Sequence, residues 1–470
     1  MAKGFLPYSL DQHLLLPPDM RAWLVEGHLA LFVSDMVEAL DLSKVYAVYT
    51  SKDVRGRAAY HPLMMVKLLV YGYCIGVRSS RKIERATYED VAFRVLSGDQ
   101  HPDHDSVASF RKQHIAALGQ LFVQVLQLCG KAGLVKLGHV AIDGTKIGAN
   151  ASKHKAMSYE RMDEAEKKLE MEVARLLEEA ATVDADEDAK FGKGKRGDEL
   201  PAELARRESR LIKIREAKAA LEAEAKEKAE ARADEIRKKL DERERQEVET
   251  GKKPGGHPPK MPDVEQAKPD PKAQRNFTDP ESRIMPDGAN KGSFIQSYNA
   301  QIAVDAYAQV IVAADITQQA NDKQQLEPMM AATLKNMGRM PDASSADAGY
   351  FSENAIAAVE KMGTNLLVPR NRQKHGEPLE PPPSETPTET PTATERMRAK
   401  LCTAEGRDLY RMRKAIVEPV FGQIKAVRGI RRFVVRGFEN ARAEFRFIAL
   451  THNVLKLFRF GPPRALAFGT

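Results

Sequence analysis

Three carboxylates in the sequence occupy positions from which they could bind metal ions. Asp143 follows the apolar run HVAI and precedes Gly144, and Asp347 follows the short run SSA within SSADAGY. Glu418 is the only acid in RMRKAIVEPVFGQIKAVRGIRR, a stretch with seven Lys or Arg. Carboxylates that are brought to one point from separate elements repel one another unless a cation lies between them. Mg²⁺ or Mn²⁺, which take oxygen ligands and bridge phosphates, would remove that repulsion.

The basic surroundings of Glu418 suit a phosphodiester backbone, with the acid holding a metal ion and the Arg or Lys side chains holding phosphates. Each acid also has a plain structural explanation. Asp before Gly is common in turns, and Glu before Pro can mark the start of a helix. The chain has 66 Asp and Glu residues, so composition and spacing by themselves do not single out these three.

The composition limits the classes of protein that fit. The 470 residues allow two or more domains, and a net charge of +7 favours a polyanionic partner. Three cysteines, far apart and without a CxxC pair, form neither a disulfide framework nor a thiolate zinc site. No signal peptide or membrane-spanning run is visible, so we expect a cytoplasmic protein without a membrane partner.

Residues 1–135 have the pattern of helices, and we interpret them as an N-terminal DNA-binding or dimerisation domain. Apolar residues recur at steps of three and four in 61–76, 79–98 and 106–130. Basic residues on these segments suit DNA. An ordinary helical domain with a solvated basic face is an equally good reading of this pattern.

Residues 136–470 alternate strands with helices, which predicts an α/β domain with some parallel strands. A short strand over 139–142 precedes Asp143, and a second strand is predicted after Gly144. Further strands are predicted within 297–319 and at 365–369, and helices over 323–338 and after Asp347.

Two insertions interrupt this predicted α/β domain. Residues 155–275 contain two charged segments with apolar residues at threes, fours and sevens, followed by a Pro- and Lys-rich linker. This pattern predicts an antiparallel coiled-coil hairpin, whose charges we interpret as a solvated face. Residues 376–396 are rich in Pro and Thr and predict an extended loop.

Several motifs, taken in their order along the chain, resemble one family. They are DHDSVASFRKQH, VAIDGTKIGANAS, NFTDPESRIM, SADAGYFSE, YRMRKAIVEPVFGQIKAVRGIRRF and THNVLKL. The chain resembles a DDE transposase of a bacterial insertion sequence, in the branch whose last catalytic Glu lies in a tyrosine, arginine, glutamate, lysine signature. The resemblance covers most of the chain, and the combination is specific, whereas each motif alone is weak.

The resemblance implies an RNase H-like catalytic domain that carries the insertions, with Asp143, Asp347 and Glu418 as the catalytic, metal-binding triad. Two ions, Mg²⁺ or Mn²⁺, would activate water for attack on the phosphodiester at each end of the element. The freed 3′-hydroxyl would then attack target DNA. Such a protein would act in the bacterial cytoplasm and be associated with the nucleoid when it is bound to DNA.

The resemblance also implies residues that contact DNA. Tyr410, Arg413 and Lys425 match the other signature positions, but four residues separate Arg413 from Glu418 where the signature has three. Lys414 has the right step to Glu418 and one residue too many after Tyr410, so the choice between Arg413 and Lys414 for the basic position stays open. The further basic candidates are Arg428, Arg431 and Arg432. The partners would be the terminal inverted repeats and target DNA, held by a homodimer or a larger synaptic assembly.

Three alternatives stay open from the sequence. A metal-dependent RNase H-like nuclease would cut DNA without strand transfer. A non-enzymatic DNA-binding coiled-coil protein would explain the basic surplus and the hairpin but would give the acids no role. A degenerate transposase would have the same motifs without activity.

Overall fold

We analysed the chain as a computed structural model, which describes residues 19–50, 59–191, 202–251, 255–288, 290, 292–371 and 392–461. The chain divides into two compact units. The first contains Met1–Gly148 and Tyr298–Thr470, and the second contains Ala149–Ser297. No helix in the described part of the chain is both long enough and apolar enough to cross a membrane.

The N-terminal region is helical, as predicted. Its helices are α1 (Leu29–Glu38), α2 (Ser43–Thr50), α3 (Pro62–Ile75), α4 (Ser80–Glu89), α5 (Val91–Ser97) and α6 (His104–Lys131). The prediction of one continuous helix over 79–98 was wrong, because Asp90 is extended and caps α5 by accepting hydrogen bonds from the amides of Ala92 and Phe93. An Asp side chain that satisfies free amides in this way starts a new helix.

These helices share the first compact unit with the C-terminal helix α13 (Phe438–Phe460). Helices α6 and α13 pack so closely that a Cβ atom on Gly119 would lie 2.8 Å from the carbonyl oxygen of Ala443. The residues on both sides of the contact are buried and mostly apolar. The proposed domain boundary near residue 135 remains a prediction.

A mixed sheet forms the centre of the first unit. Strands β1 (His139–Gly148), β7 (Ala343–Ser345) and β8 (Asn365–Leu367) are parallel neighbours in that order. On the other side of β1 lies β5 (Phe294–Asp305), which pairs antiparallel with β6 (Ile311–Thr317). The prediction of two strands, one on each side of Asp143, was wrong: they are one continuous strand, so Asp143 lies within β1, an interior strand of the sheet.

Four more helices complete this unit: α9 (Leu326–Met337), α10 (Glu353–Lys361), α11 (Ala393–Cys402) and α12 (Ala404–Gly422). The predicted loop over 376–396 lies outside the described residues as far as 391. Its last residues begin α11, where Thr392 and Glu395 form a capping box. The helices predicted over 323–338 and after Asp347 correspond to α9 and α10.

In the second unit, β2 (Ala156–Ser158) leads into α7 (Tyr159–Phe191), and α8 (Ala202–Thr250) is followed by β3 (Gln274–Asn276), which pairs antiparallel with β2. Strand β4 (Arg283–Pro286) pairs with Phe294–Ser297 at the start of β5. Ion pairs join α7 to α8. Asp163 near the start of α7 pairs with Lys218, whereas Glu172, further along α7, pairs with Arg207, which comes before Lys218 on α8. The two helices therefore run antiparallel. Apolar residues lie between them: Met162, Leu169, Leu211, Ile214, Ala217 and Leu221. The coiled-coil assignment itself remains a prediction.

Candidate active site

Asp143 lies within β1, and Asp347 lies two residues after the end of the neighbouring parallel strand β7. Strands β1 and β7 are paired with Ala141 opposite Ser345, and each aspartate lies two residues further along its own strand direction. Adjacent strands are about 4.8 Å apart, and the carboxyl ends of parallel strands are where α/β folds place ligand-binding groups. The register of two strands therefore brings the first two predicted acids into one neighbourhood.

Asp143 is held in a partly buried position. Its carboxylate accepts a hydrogen bond of 2.8 Å from the amide of Gly144 and lies 3.5 Å from Nη1 of Arg413, and its side chain is 22% exposed. Burial raises its pKa to about 6, the Arg413 guanidinium and the Gly144 amide oppose that rise, and the carboxylates of Asp347 and Asp322 add to it. Burial is the largest of these effects, and the neighbouring carboxylates contribute less.

Asp347 caps a short 3₁₀ helix over Ala348–Tyr350. Its carboxylate accepts a hydrogen bond of 2.9 Å from the amide of Gly349. This bond fixes the turn that follows β7 and orients the Asp347 side chain. The second predicted acid is therefore anchored by its own backbone.

A third aspartate, Asp322, shares this neighbourhood and was not predicted from the sequence. Its Oδ1 accepts hydrogen bonds from Asn299 Nδ2 at 2.6 Å and from Gln301 Nε2 at 2.7 Å. A Cβ atom placed on Gly144 would lie 2.4 Å from Gln301 Nε2 and 2.8 Å from Asp322 Oδ1. Gly144 is thus required by the closeness of these two side chains, and Asp322 lies directly against the backbone next to Asp143.

Gln301 links Asp322 to the turn that carries Asp347. Its Oε1 accepts a hydrogen bond from the hydroxyl of Tyr350, which is fully buried at the end of that turn. Burial raises the pKa of Tyr350 well above its usual value, and the three aspartates add to the rise. A neutral phenol that donates to Gln301 therefore holds the amide in the orientation that serves Asp322.

One pattern in the sequence could have indicated this network. Asn299 and Gln301 alternate along β5, a strand whose other residues are mostly buried and apolar. Residues at i and i+2 of a strand point to the same face, and buried amides need hydrogen-bond partners. Two such residues in a buried strand indicate a polar site beside it, although nothing in the sequence identifies Asp322 as the partner.

Helix α12 brings a guanidinium to Asp143 and packs against β1. Arg413 is buried, and its guanidinium lies 5.8 Å from the centroid of the half-buried Tyr410 ring. Lys414 is exposed. Of the two residues that could fill the basic signature position, the structure therefore places Arg413 beside the acids and Lys414 toward solvent.

Glu418, the third predicted acid, is exposed on α12. The helix continues through Pro419, which has no amide hydrogen for the carbonyl of Ala415, and Gln309 Nε2 donates to that carbonyl at 3.0 Å instead. A π-helical turn, Gln423–Val427, follows directly. Among the described residues, no group of three or more His, Cys, Asp or Glu side chains is arranged to hold a metal ion. The structure thus brings Asp143 and Asp347 together but does not bring Glu418 to them.

The other predicted DNA-binding residues differ in their accessibility. Lys425 Nζ donates to Thr145 Oγ1 at 2.5 Å and to the Lys146 carbonyl at 2.8 Å, so it ties the π-helical turn to β1. Arg431 and Arg432 are exposed. Arg428 is buried and donates to Thr451 Oγ1 at 2.7 Å, so in this structure its guanidinium does not reach the surface where DNA would bind.

Comparison with protein families assigns the chain to a class. Residues 18–113 match the family described as Transposase domain (DUF772), and residues 263–454 match the family described as Transposase DDE domain. The chain belongs to the DDE transposases of insertion sequences, enzymes that act on DNA. The second match includes Asp322, Asp347 and Glu418, whereas Asp143 lies outside both matched ranges. No curated protein and no solved structure matches the chain.

Proposed function

We propose that this transposase cuts DNA at the ends of its insertion sequence and joins the freed 3′ ends to target DNA, with Asp143, Asp347 and Glu418 as its catalytic acids. The observation that carries the proposal is the register of the parallel strands β1 and β7, which pairs Ala141 with Ser345 and so brings together Asp143 and Asp347, each two residues further along. Phosphoryl transfer depends mainly on positioning and charge stabilisation, and this arrangement supplies both without a nucleophilic side chain.

The catalytic domain would have an RNase H-like fold. Support comes from the mixed sheet, in which the antiparallel pair β5 and β6 precedes the parallel strands β7 and β8 along the chain while β1 lies between the two sets. Helix α12, which carries Glu418, packs against β1, the strand that carries Asp143. An acid on this helix can therefore approach the acids of the sheet.

The donor set fits hard divalent cations. Asp143 and Asp347 offer carboxylate oxygens, the ligands that such ions prefer, and a cation between them would offset the repulsion of their charges. Bound Mg²⁺ or Mn²⁺, two ions per site, would activate the attacking oxygen and stabilise the leaving oxygen of the phosphodiester. Glu418 would complete the ligand set from α12. In this structure, the guanidinium of Arg413 is the positive charge that lies beside the Asp143 carboxylate.

DNA would be held by basic residues around the same helix. Arg413 and Tyr410 would approach the scissile strand, and the exposed Lys414, Arg431 and Arg432 offer charges to phosphates. Lys425 would act by fixing the π-helical turn to β1. The N-terminal helices would recognise the terminal inverted repeats. Since two ends must be joined to one target, we expect a dimer or a larger synaptic assembly.

Replacement of Asp143 by Asn tests this proposal. The variant keeps the size and a carbonyl oxygen that can accept from the Gly144 amide, but it removes the charge that a metal ion requires. We expect cleavage and strand transfer of a labelled transposon-end duplex to fall below about one thousandth of the wild-type rate. Binding of the duplex, measured without divalent ions, should stay within about twofold, because Asp143 is not among the proposed DNA contacts.

The control is Asp408→Asn, an exposed aspartate on α12, which should leave the rate unchanged. Joining of the end to a target plasmid distinguishes a transposase that completes strand transfer from one that only cuts. Wild-type cleavage by Asp143→Asn would refute the role given to this acid.

A further inference from the structure

A basic groove lies in the second compact unit, at the base of the α7–α8 hairpin. Its cavity has a volume of about 530 Å³. Basic residues line it from two sides. Helix α8 contributes Arg206, Arg210 and Lys213, and the segment before β2 contributes His154 and Lys155. Among the described residues, no acid lines the cavity. We call these five residues the basic groove.

The three α8 residues lie on one face of the helix. They are spaced at i, i+4 and i+7, which places them in a row, and at 1.5 Å per residue the row is about 10 Å long. All three are exposed, as are His154 and Lys155. Hydroxyl groups of Ser209 and Thr278 also line the cavity and can donate hydrogen bonds. The groove therefore presents a line of cations and neutral donors to one occupant.

The neighbouring cations of α8 are used differently. Arg207 pairs with Glu172 at 2.9 Å, Arg215 with Glu166 at 3.0 Å, and Lys218 with Asp163 at 2.6 Å, all across the α7–α8 contact. Arg206, Arg210 and Lys213 form no ion pair within 4.0 Å among the described residues. Among the described residues, the same helix thus has one basic face that is neutralised by α7 and one that forms no ion pair.

We propose that the basic groove binds the phosphate backbone of DNA. Like charges gathered without a counterion repel one another, and a polyanion relieves that repulsion. Phosphates recur regularly along each strand of a duplex, so a row of cations about 10 Å long can contact neighbouring phosphates of one duplex. The inference rests on the proposed function in that DNA is the substrate, but it does not depend on which acids catalyse the reaction.

A binding experiment with matched triple variants tests the groove. Arg206→Gln/Arg210→Gln/Lys213→Gln removes its α8 charges, and Lys226→Gln/Lys228→Gln/Arg232→Gln removes three exposed charges further along the same helix. Affinity for a fluorescein-labelled DNA duplex of unrelated sequence is measured with the full chain in EDTA at several salt concentrations between about 50 and 200 mM. Far-ultraviolet circular dichroism checks that both variants keep their helices.

We expect the groove variant to bind more weakly and to lower the slope of log affinity against log salt by about 3, which is one unit per lost phosphate contact. The control variant should keep the wild-type slope. An unchanged slope in the groove variant, or an equal fall in both variants, would overturn the inference.

Two further outcomes are informative. If the wild type also binds a polyglutamate peptide and the groove variant loses only that binding, the occupant is an acidic protein and the inference fails. Because these measurements contain no divalent ion, they are independent of the Asp143→Asn cleavage assay. Cleavage by that variant would refute the proposed catalytic role without affecting the groove.

Discussion

The acids around Asp143 and the cations of the basic groove both gather like charges, but the protein holds them in opposite ways. Asp143, Asp347 and Asp322 each accept hydrogen bonds from backbone or amide groups that fix their direction. Arg210 and Lys213 stand on an exposed helix face and form no ion pair among the described residues. The first arrangement fixes the direction of each carboxylate, whereas the second supplies charge to a partner whose exact position matters less.

This difference predicts different responses to substitution. Changes among the acids should reduce chemistry at constant DNA affinity, because positioned charges act on the transition state. Changes in the basic groove should reduce DNA affinity, most strongly at low salt. The following experiments order these effects from the largest to the smallest.

Glu418→Gln should have the largest effect. If Glu418 supplies a metal ligand from α12, its loss should lower cleavage by about a thousandfold, because a neutral amide cannot compensate cationic charge. The measurement is the single-turnover rate on a transposon-end duplex at saturating Mg²⁺. Glu405→Gln, at an exposed position in the first turn of α12, is the control. Equal rates for the two variants would place the third acid elsewhere.

Asp322→Asn should have an intermediate effect on metal affinity. An Asn at this position retains a carbonyl oxygen for Asn299 and Gln301 but loses the negative charge near Asp143 and Asp347. We expect Mn²⁺ to bind about 10- to 100-fold more weakly, as for other groups that support metal ligands, with a smaller change in the rate at saturating metal. Paramagnetic resonance of free Mn²⁺ measures the affinity directly.

The control for that variant is Asp342→Asn, an exposed aspartate before β7, which should leave Mn²⁺ binding unchanged. A rate at saturating Mn²⁺ as low as that of Glu418→Gln would show that Asp322 acts on the reacting groups and not through the other acids.

Gly144→Ala should destabilise the first unit. The added methyl group would overlap Gln301 Nε2 and Asp322 Oδ1, and such overpacking costs about 1–3 kcal/mol. Gly138→Ala, where a Cβ atom would meet nothing within 4 Å, should be nearly neutral. Urea denaturation measures both free energies of unfolding. Equal values for the two variants would contradict the close packing of Gly144 against the amide network.

The smallest effect concerns acid stability. Burial lowers the pKa of His139 to about 4 and of His452 to about 3, whereas the unfolded chain takes up these protons near pH 6.5. The unfolded state therefore binds more protons between these values. The free energy of unfolding should fall by at most about 1.4 kcal/mol per pH unit for each histidine as the pH drops from 6 to 4.5.

Above about pH 7 these two histidines should contribute no pH dependence, since both states are neutral there. Urea titrations of the wild type and of His452→Gln at several pH values measure the difference. His154→Gln, in the exposed basic groove, should keep the wild-type slope. A slope unchanged by His452→Gln would show that this side chain does not stay neutral in the folded state.

The sequence predicted the elements and part of the site. Periodicity was sufficient for the helices around α3 and α6 and for β5, β6 and β8, because long regular patterns reflect burial directly. The strand before Asp143 was also predicted, but not that it continues through Asp143. The pairing of β1 with β7, which brings these acids together, links residues about 200 positions apart and has no local signal.

Other features of the site depend on contacts that the sequence does not reveal. Asp322 lies in a loop that has no hydrophobic periodicity. Its place in the site is visible only from the hydrogen bonds that it accepts from the side-chain amides of Asn299 and Gln301 in β5. Arg428 stands in a run of basic residues that suits DNA, yet it is buried and donates a hydrogen bond to Thr451 of α13. The basic pattern of this run does not reveal which of its side chains are buried.

The most direct test of the proposed chemistry is anomalous scattering from Mn²⁺ in crystals of the transposase bound to transposon-end DNA. We expect manganese within about 2.2 Å of oxygens from Asp143, Asp347 and Glu418, with α12 adjusted so that Glu418 faces β1. Manganese bound by Asp143 and Asp347 while Glu418 still faces solvent would contradict the proposed triad, as would DNA-bound crystals without manganese at Asp143.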